Sequence, residues 1–151
     1  MNKLSGVLEH FVEQEGVLRL FVRCWDSIGG QALEQTQEEA QDVESQYRIC
    51  VLLLEDSSFV SNMLCAPLSL GFKENNIVVA TKLEGACNTF KAEILNLAED
   101  NLFARLTLAC AWAEGGKINA LCALDFVKNN HLQLGDFVFW HIPENEIMLF
   151  L

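Results

Sequence analysis

The chain says one thing twice. Asn2, Leu4, Leu8, Arg19, Leu20 and Cys24 return as Asn88, Phe90, Ile94, Arg105, Leu106 and Cys110, each 86 positions on. Farther along the offset drops to 70, and Lys73-Glu-Asn-Asn-Ile77 lies on Pro143-Glu-Asn-Glu-Ile147. A constant register of this kind marks two copies of one unit. The units are longer than solenoid repeats, so two small domains are expected, 1–83 and 84–151. One segment, 27–45, has no counterpart in the second copy, which has only Gly115-Gly116 there. It carries Glu34, Glu38, Glu39, Asp42 and Glu44 and almost no apolar surface. It reads as a surface insertion, because the entropy of closing a loop grows slowly with its length. An acidic partner-binding segment is the other reading.

Each copy alternates. Leu18, Leu20, Val22 and Cys24 face one side of a strand, with Val17, Arg19, Phe21, Arg23 and Trp25 on the other. Leu102, Ala104, Leu106, Leu108 and Cys110 repeat the pattern, with Arg105 and Thr107 opposite. Period two is the mark of half-buried strands. Phe21, Trp25 and Phe103 fall on the outer faces, which implies that a second surface covers them. Turns fall at Glu15-Gly16, Glu99-Asp100-Asn101 and Glu114-Gly115-Gly116, and Gly supplies the positive φ that hairpins need. Strands are expected near 4–13, 17–26, 67–73, 76–82, 89–98, 102–112, 117–124, 136–142 and 145–151. The non-alternating segments 55–63 and 125–132 read as short helices, with Asp56 and Asp125 as caps. Five strands with a short helix after the third suggest a Greek-key barrel of the OB type. The fold class is all-β: two tandem OB-like five-stranded β-barrels, each with a short helix.

Composition narrows the function. A unit of roughly 65 residues is marginal alone, so pairing of the copies or of chains is expected. A formal net charge of −11 with no basic stretch repels phosphate and argues against direct nucleic-acid binding. No segment reaches the ~20 apolar residues of a membrane span, and the N-terminus shows no signal-peptide pattern, so a cytoplasmic chain without membrane insertion is expected. The six cysteines form no close pair and read as buried thiols rather than a zinc site. No nucleophile motif or Walker loop is present, so the chain is not expected to be an enzyme. His10 and His141 read as strand residues, with donation to an anion as the other role for His141. Trp25, Trp112 and Trp140 flank strands. Packing at the barrel edges is expected of them, with burial between protomers as the alternative.

LSGVLEHFVEQEGVLRL with LSLGFKENNIVVAT, and CNTFKAEILNLAEDNLFARLTL with KINALCALDFV and LQLGDFVFWHIPENEIML, resemble the TOBE or Mop molybdate-binding family in a tandem di-Mop arrangement. The resemblance covers almost the whole chain outside 27–45. It implies small barrels that exchange strands between protomers and assemble as dimers or trimers. It also implies a bound molybdate or tungstate oxyanion and no other cofactor. A tetrahedral dianion needs donors only: backbone N–H groups, amides, hydroxyls and a cation.

Carried over position by position, the family's turn lysine falls on Lys73 and the following donor on Asn75. In the second copy Pro143 replaces the lysine while Asn145 keeps the amide. The family's Ser-Ala-Arg-Asn opening reads Gly85-Ala86-Cys87-Asn88, and Asn2 is the first-copy equivalent of Asn88. The expected oxyanion set is therefore Lys73, Asn75, Asn88, Asn145, Asn2 and Cys87, with one class of site rather than two. The function implied is molybdate or tungstate binding for storage or sensing in molybdenum homeostasis. Contact with a molybdate transporter or regulator and a homo-oligomeric state go with it. The alternative is an interaction or oligomerisation module that kept the fold and lost the ion.

Overall fold

The computed structural model describes residues 1–25 and 47–150. The acidic segment 27–45 lies outside the described residues. The first half contributes β1 (Asn2–Gln14), β2 (Val17–Cys24), β3 (Arg48–Leu53), β4 (Pro67–Phe72) and β5 (Val78–Ala80). The second contributes β6 (Thr89–Glu99), β7 (Phe103–Ala109), β8 (Lys117–Ala123), α1 (Leu124–Asn129), β9 (Phe137–His141) and β10 (Met148–Phe150). The chain is all-β in the sense expected, two five-stranded sheets with a short helical element after the third strand of each half.

Local chemistry explains the hairpins. Glu15 and Gly16 have φ of 53° and 80°, the paired positive values whose twist matches a tight hairpin. Both long first strands carry a register shift at the same repeat position, between Leu8 and His10 and between Ile94 and Asn96. Such a bulge bends a strand and helps a sheet curl. On β2 the inward residues Leu18, Leu20, Val22 and Cys24 are fully buried, as the alternation requires. Burial of each leucine removes apolar surface worth about 1.5–3 kcal/mol.

The sheets do not follow the chain. Their strand orders are β10-β4-β1-β2-β3 and β5-β9-β6-β7-β8. β5 leaves its own half to pair with β9, Val79 opposite Trp140. β10 returns to pair with β4, Leu149 opposite Leu70. Each half therefore completes the other's sheet within one chain. One hydrophobic core runs through both halves, from Leu8 and Leu20 to Leu106 and Val138.

Its centre is aromatic. Phe72 stacks on Trp140 at 5.9 Å, Trp140 stacks on Trp112 at 5.9 Å, and Phe90 meets Trp112 edge-on at 4.8 Å. Trp112 and Trp140 are thus interior groups of the join between halves rather than edge residues, because β9 and the segment after β7 face Phe72 of β4.

Two further expectations are corrected. Asp125 is not a cap: Ala123 precedes α1 and Asp125 lies in its first turn. Leu102 does not continue the buried face of β7. It sits in the hairpin turn and is 72% exposed. Asp56 does cap, accepting from the Ser58 N–H at 3.0 Å ahead of the 3-10 turn Ser57–Phe59. No helix among the described residues is long and apolar enough to cross a membrane.

Candidate functional site

The seam between halves is fastened by reciprocal polar contacts. Asn2 Nδ2 donates to the Asn119 carbonyl at 2.9 Å, and its Oδ1 accepts from the Asn119 N–H at 2.8 Å. Asn88, its repeat partner, does the same to Cys50: Nδ2 to the carbonyl at 2.8 Å, Oδ1 from the N–H at 2.8 Å. Asn88 Nδ2 also donates to the Ile142 carbonyl at 3.1 Å. Both asparagines are buried at the opening of a first strand. Their amides satisfy backbone groups that water cannot reach, which is what burial of such groups requires.

Ion pairs repeat the reciprocity. Arg19 Nε meets Glu144 Oε1 at 2.8 Å, and Arg105 Nη2 meets Glu74 Oε1 at 2.8 Å. The arginines are equivalent at the offset of 86 and the glutamates at the offset of 70. The hydrogen bond from Arg19 to Glu144 holds that guanidinium further toward its charged form. Each pair is partly exposed, so each contributes no more than about 1 kcal/mol.

The Lys73 turn forms one wall of a cleft. β4 ends at Phe72, Lys73 is extended with φ −84° and ψ 147°, and a 3-10 turn follows over Glu74–Asn76. The cleft, about 530 Å³, is lined by Met1, Lys73, Glu74, Asn75, Arg105 and Asn119. Lys73 and Asn75 of the first half thereby face Arg105 and Asn119 of the second. A neighbouring cleft of about 450 Å³ shares Met1 and Asn119 and adds Asn2, Lys3, Glu114 and Lys117. Four of the chain's ten basic residues, Lys3, Lys73, Arg105 and Lys117, line these two clefts against only two of its 21 acidic ones. In a chain of net charge −11, this is where a field favourable to an anion can form.

The expected residues divide. Lys73 and Asn75 share the cleft, and Asn2 braces its floor through Asn119. Cys87, Asn88 and Asn145 belong to the equivalent region of the other copy. There Arg19 Nη2 donates to Cys87 Sγ at 3.1 Å, and Pro143 replaces the lysine just before the turn Glu144–Glu146 that carries Asn145. That region holds one arginine balanced by one glutamate and has no lysine at its turn.

His141 Nδ1 lies 2.8 Å from the Cys87 carbonyl, so it donates there and pins the segment before Asn88. Sequence reasoning missed Arg105 and Asn119. The repeated Arg19/Arg105 and Glu74/Glu144 pairs were the signal that could have found the first. Asn119 carries no local mark, since its part depends on Asn2 reaching it across 117 positions. Among the described residues no group of three or more His, Cys, Asp or Glu side chains is placed to hold a metal ion.

No family model matches the chain, and no curated protein sequence matches it. Among solved structures it is similar to ModG, a cytoplasmic molybdate-binding protein, in a crystal form with molybdate bound. The TM-score is 0.74 at 13% identity, over 99% of this chain and 95% of that one. At that identity and coverage, the two chains share a fold along nearly their full lengths.

Proposed function

We propose that this chain is a molybdate- or tungstate-binding protein that captures the ion reversibly in the Lys73 cleft. The observation that carries the reading is the gathering of basic side chains there, on a seam whose fold is that of a molybdate binder. Lys73 and Arg105 supply charge, and Asn75 and Asn119 supply neutral donors. Asn2 and Asn88 hold the seam rather than the ion, because their amides are bound to backbone groups. Binding is by charge-assisted hydrogen bonds to oxyanion oxygens, with no covalent step. Glu74 keeps Arg105 aimed into the cleft and leaves one net positive charge among the ionised side chains around it. The role that follows is oxyanion storage or sensing linked to molybdate transport in the cytoplasm, by a binder rather than an enzyme.

Titration calorimetry with molybdate, tungstate and sulfate tests the reading. Heat is expected with the first two, at one ion per chain, and its absence with all three would remove the ligand claim.

A second reading, an interaction or oligomerisation module that has lost the ion, is favoured by one observation. Leu95, Leu102, Phe103, Leu134 and Phe137 of the second half are 46–72% exposed. Light scattering together with the titration separates the two: a stable oligomer that ignores oxyanions supports the module.

A further inference from the structure

The second copy's equivalent of the Lys73 cleft is built from different chemistry. Cys87 stands in the repeat where Met1 does, and Pro143 where Lys73 does. Cys50 is held by Asn88 as Asn119 is held by Asn2. The substitutions bring two thiols together from opposite halves. Asn88 clamps both backbone groups of Cys50 beside the residue that precedes it in the chain, Cys87. Cys50 pairs with Phe21 in the β2–β3 register, so its side chain shares the strand face of Arg19, whose guanidinium reaches Cys87. Arg19 Nη2 donates to Cys87 Sγ at 3.1 Å.

Access is unequal. Cys87 is exposed, whereas Cys50 is 8% exposed, and burial pushes its thiol up. An outer, reachable sulfur held by a guanidinium and backed by an inner one is an arrangement suited to disulfide exchange.

We propose that Cys50 and Cys87 are a thiol–disulfide exchange pair that reversibly locks the seam between the halves, with a low-molecular-weight disulfide of the glutathione type as oxidant. Cys87, as thiolate, attacks one sulfur of the small disulfide. That S–S bond breaks and one thiolate leaves, taking a proton from solvent. Cys50 then gives its proton to solvent, and its sulfur attacks Cys87 Sγ. The mixed disulfide breaks and the second small thiolate leaves. Two protein thiols are oxidised and one small disulfide is reduced to two thiols. Arg19 lies beside the sulfur at which charge changes in both steps. Cys24 and Cys110 are both buried, so neither offers the reachable sulfur that the first step needs. The proposal does not depend on the oxyanion reading.

The test uses the full chain carrying Cys65→Ser, which removes the other exposed thiol. It is incubated with oxidised glutathione, digested without reduction and mapped by mass spectrometry. The expected result is a Cys50–Cys87 cross-link, the loss of two free thiols, no retained glutathione, and reversal by dithiothreitol. Adding Cys50→Ser should leave one glutathione on Cys87. Adding Cys87→Ser should leave no adduct and no cross-link. A lasting adduct on Cys87 while Cys50 is present, no reaction, or a cross-link between any other pair would overturn the proposal.

Discussion

Asn76 donates to Glu146 at 3.0 Å, and the two residues occupy the same position in the two copies. Equivalent residues that touch each other lie at a local two-fold axis, as in an isologous contact. Around it the Arg105–Glu74 and Arg19–Glu144 pairs are exchanged, as are the Asn2–Asn119 and Asn88–Cys50 contacts. The chain is a dimer of its own halves, and its two seam regions can be compared residue by residue. One keeps lysine and an open cleft. The other has proline and two thiols.

Lys73→Ala should weaken molybdate binding about tenfold or more, the loss of ~1.4 kcal/mol that one charge-assisted contact supplies. Arg105→Ala should weaken it similarly, while Arg19→Ala should leave it unchanged. Calorimetry on the three variants checks this. Equal losses from both arginine variants would place the ion elsewhere on the seam.

Asn88→Ala removes three hydrogen bonds and strands the Cys50 and Ile142 backbone groups. A cost of about 2–4 kcal/mol is expected in urea unfolding. Asn2→Ala removes two such bonds and should cost less. Neither loss should depend on oxyanion in the buffer.

Gly6→Ala should destabilise more than Gly71→Ala. A Cβ on Gly6 meets the Arg23 backbone carbonyl, which belongs to a paired strand and cannot move aside. A Cβ on Gly71 meets the Phe150 ring at 2.6 Å and Met1 Sδ at 2.8 Å, both ends of side chains that can shift. Melting temperatures of the two variants give the comparison.

Burial, with Cys110 nearby, pushes the Cys24 thiol well above its ordinary value. Below the unfolded thiol's value, about 8.5, both states keep the proton and Cys24 adds no pH dependence. Above it the unfolded chain releases a proton that the folded chain retains. Stability should therefore fall as pH rises, by up to about 1.4 kcal/mol per pH unit from this residue. Cys24→Ala should flatten that slope between about pH 8.5 and 10, read by urea unfolding at each pH.

The strands were legible because Leu18, Leu20, Val22 and Cys24 state their face in period two, and Glu15-Gly16 states its turn. The exchange of β5 and β10 was not legible in the residues themselves, and the resemblance implied exchange between protomers rather than between halves of one chain. Val78-Val79-Ala80 and Met148-Leu149-Phe150 alternate the same way whichever sheet receives them, and three residues carry no label for a partner. Lys73 and Asn75 were set at a seam by the resemblance, which maps the family's lysine turn onto them; nothing local in Lys73-Glu-Asn-Asn marks which surface the turn meets. The role of Asn88 could not be read, since a polar residue opening a strand looks the same whether its amide meets an ion or a carbonyl. Its φ of 56° belongs to that tight local geometry. Trp112 and Trp140 misled for a related reason: strand ends are usually rims, but here the two halves close over them.

The swapped last strands have a consequence for any fragment of this molecule. A polypeptide ending near residue 83 would carry a β5 with no β9 to receive it and a β4 edge left bare. A fragment starting there would have the complementary defects. Each would be sticky toward the other and, through the same two-fold logic, toward another molecule of itself. Mixing the pair should restore one folded body, whereas either piece kept alone at high concentration should self-associate.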